Sequence, residues 1–290
     1  MSEIRTSIIM PTCDQASRLE LTLASLTRLD PDRRDWEAIV VDDGSTDRTP
    51  EVLDHFRSRL PLRTVRQENA GRAVARNAGA ASARGGTLVF CDGDRICAPG
   101  LLAAHANAAD GHPDRINVGE IREVYVSNLE ERRAGIEADI AAGCADLARR
   151  SRRPHFVAEV FRHVLDEKGV ASPPAPWMCF FSGNLSVPRA LFRQAGGFNE
   201  RFVAWGMEHF ELGYRLVRSG AEIHHLPDAV SYHVAHRRPA GFYESGIAAS
   251  AALMRELHPG FPVEEFVALT LGRTTVPEFL TALAEGEDAR

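Results

Sequence analysis

The run Val89-Phe90-Cys91-Asp92-Gly93-Asp94 joins an apolar β-type stretch to two carboxylates spaced by one residue. Side chains alternate along an extended segment, so Asp92 and Asp94 can point the same way from a strand end. Hard divalent cations take oxygen ligands, and Mg²⁺ or Mn²⁺ commonly bridges protein carboxylates to phosphates. The pair therefore suggests a metal-held nucleotide diphosphate. Asp-Gly is also a common turn dipeptide, so the surrounding chain has to decide between the two readings.

Working outward, Thr6 to Met10 reads as a strand closed by Pro11-Thr12, and Trp36 to Val41 as one ending at Asp42-Asp43-Gly44-Ser45. Leu62 to Arg66 and Thr87 to Cys91 are the third and fourth strands. Helices are predicted between them. One has Ser17 and Glu20 at capping-box spacing, followed by Leu19, Leu23 and Leu26 on one face. A second opens with Thr49 as N-cap and Pro50 in its first turn. The Ala/Gly-rich run Gly71 to Ala83 suits a helix packed closely on a sheet. Such alternation predicts a parallel sheet covered on both faces. The polar motifs fall at strand ends, and open α/β sheets bind ligands outside the carboxyl ends of their strands. The Gly-x-Gly-x-x-Gly and P-loop patterns are absent, which disfavours a standard NAD or ATP site.

Past Pro99 the spacing predicts a helix over Leu101 to Ala109 and a strand over Ile116 to Val126. It then predicts one long charged helix from Leu129 to Arg153, a helix from Phe156 to Leu165, and a buried strand from Trp177 to Phe181. A helix from Glu208 to Arg218 follows Trp205-Gly206, and Ala221 to Val234 is mostly extended. Helices over Tyr243–Leu257, Val263–Leu271 and Pro277–Leu283 complete the chain, with Glu285 to Arg290 as a disordered tail. The arginine patches Arg132-Arg133 and Arg149 to Arg153 read as solvated helix faces.

With 290 residues, 44% hydrophobic and 26% charged, the composition is that of an ordinary globular protein. A net charge of -6 argues against a nucleic-acid partner. No apolar run reaches the roughly 18 residues of a membrane span, and no signal-peptide pattern opens the chain. Cys13, Cys91, Cys97, Cys144 and Cys179 are scattered and odd in number, which reads as reduced thiols of a cytoplasmic protein, or one peripheral at a membrane.

The order of motifs resembles the glycosyltransferase family 2 enzymes. The pieces are Ser7-Ile8-Ile9-Met10-Pro11-Thr12, Val40-Val41-Asp42-Asp43-Gly44-Ser45-Thr46-Asp47, Asn69-Ala70-Gly71 with Ala75-Arg76-Asn77-Ala78-Gly79, and Phe90-Cys91-Asp92-Gly93-Asp94. Downstream, Gly183-Asn184-Leu185-Ser186, Gly196-Gly197-Phe198-Asn199-Glu200 and Trp205-Gly206-Met207-Glu208 are similar to the galactosyltransferase C-terminal module as well. The resemblance implies a GT-A fold, an α/β architecture with a Rossmann-like, mostly parallel central sheet flanked by helices. Residues 1–110 would be the nucleotide-sugar-binding half and 111–239 the acceptor-binding and catalytic half, followed by a C-terminal helical extension over 240–290. It implies an enzyme that moves a sugar from a nucleotide-diphosphate donor, with UDP favoured, to an acceptor that the sequence does not name.

Roles follow residue by residue from the resemblance. Pro11 and Thr12 would line the base pocket, Asp42 would read the base, and Asp43 or Asp92 would hold the ribose. Arg76 would meet the diphosphate or a sugar hydroxyl, with an ion pair to Asp42 or Asp92 as its alternative. Asp94 and His233 would hold Mn²⁺, favoured over Mg²⁺, with Asp92 helping and His236 as the substitute ligand. Arg237-Arg238 would neutralise the leaving diphosphate, and Asp47 would cap a turn. The usual Trp-Gly-Gly-Glu-Asp signature is Trp205-Gly206-Met207-Glu208-His209 here, followed by Phe210-Glu211. Glu208 then serves as the base, with His209 as the other candidate and Glu211 positioning the acceptor. His224 and His225 read as ordinary strand residues. Two other readings stand beside a transferase: a sugar nucleotidyltransferase, and a non-catalytic sugar-nucleotide or carbohydrate-binding protein.

Overall fold

The computed structural model describes residues 3–30, 33–236, 239 and 241–288, with Glu287 and Asp288 described by backbone alone. Its elements run in this order. First come β1 (Thr6–Thr12), α1 (Ala16–Leu26), β2 (Trp36–Asp43), α2 (Thr49–Phe56), β3 (Leu62–Gln67), α3 (Arg72–Ser82) and β4 (Thr87–Cys91). Next are β5 (Arg95–Cys97), α4 (Leu101–Ala109), β6 (Arg115–Tyr125), α5 (Leu129–Ala141), α6 (Ala145–Arg150) and α7 (His155–Val164). The chain continues through β7 (Asn184–Pro188), α8 (Arg189–Gln194), α9 (Glu208–Arg218) and β8 (Glu222–Ala235). It closes with α10 (Phe242–Leu257), α11 (Val263–Thr270) and α12 (Val276–Asp288).

The sheet has eight strands in the order β3-β2-β1-β4-β7-β6-β8-β5. The first four run parallel; β1, β2 and β4 are near-continuous apolar runs buried on both faces, and β3 is the exposed edge strand. Register places Thr12 beside Asp42, and Ile9 beside Phe90, so the ends of β1, β2 and β4 share one edge. β7 runs antiparallel to β4 and β6, and β6 runs parallel to β8. The expected α/β class holds, with a mixed far half.

Period-two alternation divides the core. Ile8, Met10, Ala38, Val40 and Val89 pack under α1, α2 and α4 on one face. Ile9, Ile39, Val41, Leu88 and Phe90 face α3, α7 and the C-terminal helices on the other. Gly79 is small for a reason: a Cβ there would come within 2.5 Å of Ile9 Cγ2. The C-terminal helices share this core. Trp177 packs against Phe210, Phe261, Phe266 and Phe279, all of them buried.

Several sequence expectations are corrected. The long helix breaks into α5 and α6 at Gly143 and Cys144, both at positive φ, and the Asp139 carboxylate accepts from the Asp146 and Leu147 N–H groups to cap α6. Within the arginine patches, Arg149 and Arg150 are solvated, but Arg133 ties α5 to Glu20 and Arg153 pairs with the buried Glu120. Pro176–Cys179 is a 3-10 turn rather than a strand, since proline sets a first turn; the strand starts at Asn184. Ser17 lies inside the first turn of α1, so no capping box forms, and Asp47 accepts from Ala16 N–H instead. Asp47 also accepts from Thr49 N–H, so Thr49 is capped rather than capping. α12 runs on to Asp288, so Glu285 to Asp288 are helical. All five cysteines are free. No helix among the described residues is long and apolar enough to cross a membrane.

Candidate active site

The edge where β1, β2 and β4 end opens into a cavity of about 620 Å³. Pro11, Thr12, Asp43, Arg76, Asp92 and Asp94 line it from the first half of the chain, and Glu208, His209, His233 and His236 from the second. The size falls in the range of small-molecule sites.

Asp94 sits just past β4 with His233 at the end of β8. His233 Nε2 is 3.3 Å from Asp94 Oδ2, and His236 Nε2 is 3.7 Å from the same oxygen. Potential ligand atoms of Asp94, His233 and His236 all lie within 4.8 Å of one another. This mixed oxygen and imidazole set fits a divalent cation, Mn²⁺ better than Mg²⁺. Burial pushes the Asp94 carboxyl up, but the two imidazoles and Arg95 hold it well below the usual carboxylate range. It therefore stays anionic, as a ligand must. His233 is lowered by burial and raised more strongly by Asp94 and Glu123. His224 and His225 are strand residues paired with Glu222 and Glu120.

Asp92 is committed differently. Its Oδ1 accepts from Arg76 Nη2 at 2.9 Å, and Oδ2 lies 3.5 Å from Arg95 Nε. The carboxylate is thus spent on arginines and stands outside the Asp94 group. Burial raises its pKa, and Arg76 and Arg95 bring it below normal. Gly183 must be small beside it, because a Cβ would meet Arg95 Nε at 2.6 Å and Asp92 Oδ2 at 2.7 Å.

Arg76 joins the two halves. It is 3% exposed, stacks over Phe198 at 5.3 Å, and donates from Nη1 to Glu208 Oε1 at 3.3 Å. Of its two anticipated ion-pair partners it takes Asp92 and not Asp42. Glu208 is 4% exposed at the start of α9, and Gly206 N–H donates to its Oε2 at 3.3 Å. Burial alone would raise the Glu208 pKa. The His209 imidazole and the charges of Arg76 and Arg72 outweigh it and hold the carboxyl well below its usual range. His209 Nδ1 lies 3.7 Å from Glu208 Oε1, and its ring stacks against Phe210 at 4.0 Å.

Two anticipated site residues lie elsewhere. Glu211 is 1% exposed and turned inward, where Arg215 and His258 both donate to it. It anchors the C-terminal extension to α9 rather than facing an acceptor, because the next helical turn lies under the packed α10–α11 layer. Asp42 is buried off the cavity wall, accepting from Ser45 N–H and Arg66. Asp43 reaches the wall while accepting from Ala70 and Gly71 N–H. Arg237 lies outside the described residues.

Sequence reasoning passed over Arg72, Arg95, Glu123 and Tyr243, which also line the cavity. Arg95 follows the carboxylate pair directly, a signal that was available. Glu123 is placed by strand pairing and had none. Thr12 Oγ1, Arg76 Nε, and Arg95 Nε and Nη1 are buried without hydrogen-bond partners.

A family model, glycosyl transferase family 2, matches residues 7–165, and a second, the N-terminal domain of galactosyltransferase, matches 162–237. Validoxylamine A glucosyltransferase of Streptomyces hygroscopicus subsp. jinggangensis is 32% identical over 277 residues, covering 91% of this chain and 63% of the relative. The chain thus spans about three fifths of that relative's length. Among solved structures, GalNAc-T7 with UDP, GalNAc and Mn²⁺ superposes with a TM-score of 0.64 at 18% identity, covering 92% of this chain and 50% of that one. The mannosyltransferase PcManGT from Pyrobaculum calidifontis, with GDP-Man and Mn²⁺, gives 0.58 at 22% identity, covering 98% and 69%.

Proposed function

The chain belongs to glycosyl transferase family 2, and from that premise we propose a metal-dependent, inverting transfer from a UDP-sugar to a hydroxyl or other nucleophile of the acceptor. One observation carries the reading. The Asp94, His233 and His236 group and the Glu208 carboxylate line the same cavity, and Arg76 and Arg95 line it with them.

In this reading Asp94, His233 and His236 hold Mn²⁺, which when bound neutralises charge on the diphosphate. Arg95 and Arg76 give that diphosphate charge-assisted hydrogen bonds. Pro11, Thr12 and Asp43 flank the nucleoside. The acceptor enters beside Phe156, Phe181, Trp205 and Tyr243, whose rings suit the apolar face of a cyclic polyol. Glu208 takes the proton from the attacking group. The Arg76 pair favours a second assignment of that step, because it lowers the basicity of Glu208. His209 would then be the base, with Glu208 fixing its ring.

Incubation with a panel of sugar nucleotides, Mn²⁺ and candidate polyol acceptors tests the reading. Release of nucleoside diphosphate, with UDP-sugars preferred and the product anomer inverted by NMR, is the expected result. Pyrophosphate release would point to a nucleotidyltransferase. Binding without turnover, seen as a thermal shift worth about 2.7 kcal/mol at a hundredfold excess over Kd, would point to a binding protein.

A further inference from the structure

We infer that Glu123 is a positioning residue: it holds the His233 ring with Nε2 turned toward Asp94, and through that ring sets the affinity of the cation site. The inference rests on the metal reading given above.

Glu123 lies on β6 directly across from His233 on β8. Its Oε1 is 3.3 Å from His233 Nδ1, while the opposite ring nitrogen faces Asp94. A carboxylate accepts only, so the Glu123 contact keeps a proton on Nδ1, and a cation bound at Asp94 would take the Nε2 lone pair in place of any proton there. The carboxylate is itself fixed. The Tyr125 hydroxyl donates to Oε2 at 3.1 Å, so both oxygens are engaged within the protein. The Glu123 backbone exchanges hydrogen bonds with Arg152 at 2.7 and 3.1 Å, and the Arg152 guanidinium covers the Tyr125 ring at 4.9 Å. Glu123 is thereby bridged to Arg152 on one side of β6 and to β8 on the other while its acid lines the cavity. Outer partners of this kind fix a ligating imidazole's tautomer, and their loss costs about 10–100-fold in metal affinity.

The test measures Mn²⁺ binding directly, by loss of the free-ion EPR signal with and without UDP. Glu123→Ala should weaken Mn²⁺ binding by about 10–100-fold. Glu123→Gln, which keeps a neutral acceptor of the same shape, should fall between it and the native protein. Introduced into His233→Ala, Glu123→Ala should change nothing further, because its effect passes through the ring. Native Mn²⁺ affinity in Glu123→Ala overturns the inference, as does an undiminished further loss in the His233→Ala background. If Glu123→Ala fails to fold by circular dichroism, Glu123→Gln decides: unchanged affinity there overturns the inference. A native protein that binds no Mn²⁺ under either condition overturns the metal site and this inference together, whereas native binding with an indifferent Glu123 overturns this inference alone.

Discussion

His105, on α4, is enclosed with Asn184 and Ser186 of β7, whereas His233, on β8, stands between two carboxylates at the cavity wall. In the closed region both ring nitrogens have neutral partners. His105 Nε2 lies 2.9 Å from Asn184 Oδ1 and Nδ1 3.0 Å from Ser186 Oγ, while Asn184 donates to the Ala229 and Glu120 carbonyls. With no carboxylate in reach, burial holds the imidazole down at about 4. In the open region burial lowers His233 too, but Asp94 and Glu123 reverse the sign. Burial of a histidine therefore says little about its role. What matters is whether its partners are neutral groups that close a layer, as at His105, or carboxylates on a cavity wall that a ligand can reach, as at His233.

Removing the acid from the open region gives the largest expected effect. Asp94→Ala takes away the carboxylate that gathers both histidines. Turnover should fall on the order of 10³-fold or more, since a bound cation supplies several kcal/mol of charge stabilisation. Calorimetry with and without EDTA should show the metal-dependent part of donor binding gone and the melting temperature of the metal-free protein little changed. Undiminished Mn²⁺-dependent donor affinity would remove Asp94 from the site. Glu208→Gln comes next, with a loss of about 10²–10⁴-fold in turnover and nearly native donor affinity. The Glu208 carboxyl is held well below its usual range, so a rate that depends on it stays flat down to about pH 5. If the rate instead halves near an imidazole's value of about 6.5 and that limb disappears in His209→Asn, His209 is the base.

The closed region predicts a smaller effect, on stability. His105 sits at about 4 when folded and would titrate near 6.5 when unfolded. Its folded pKa is depressed, so the unfolded chain binds the extra proton between these values and stability falls as pH drops through that window. The loss reaches about 3 kcal/mol by pH 4. Urea titrations at pH 7, 5 and 4 in EDTA should show His105→Gln, which cannot titrate, less sensitive to pH by about that amount. An equal slope in both proteins would mean that the His105 layer opens to water.

The two halves were unequally legible. β1, β2 and β4 and their polar ends could be read because contiguous apolar runs stop at Pro11-Thr12, Asp42-Asp43 and Asp92. Asp94 and His233 could be named from motifs. The partners that give them meaning could not be, since Glu123 and Arg95 meet His233 only through the β6–β8 and β5–β8 registers. The aromatic run Trp177 to Phe181 misled for a related reason. High β-propensity describes a residue that suits a buried, pleated surface, and here the burial comes from α9, α11 and α12 instead. Glu211 failed because helical spacing shows which residues are neighbours without showing which side the later helices cover.

The smallest expected effect separates the adjacent acids Asp42 and Asp43. Motif position assigns base reading to Asp42, but the cavity wall carries Asp43. Asp42 is 2% exposed and bonded to Ser45 N–H at 2.8 Å and to Arg66 at 2.8 Å. Arg66 is more than half exposed, so water screens that pair and its loss costs no more than about 1 kcal/mol. Asp42→Asn keeps an oxygen for Ser45 and should leave nucleotide affinity within about twofold, a change of under half a kcal/mol. Asp43→Asn cannot accept equally well from both Ala70 and Gly71 N–H. It should loosen the Asn69-Ala70-Gly71 turn at the cavity and weaken UDP binding by about 1–3 kcal/mol. Calorimetric titration of UDP into both variants decides the matter. Should Asp42→Asn be the more damaging, the base reaches past the wall seen here to the buried acid, and the motif rather than the cavity names the reader.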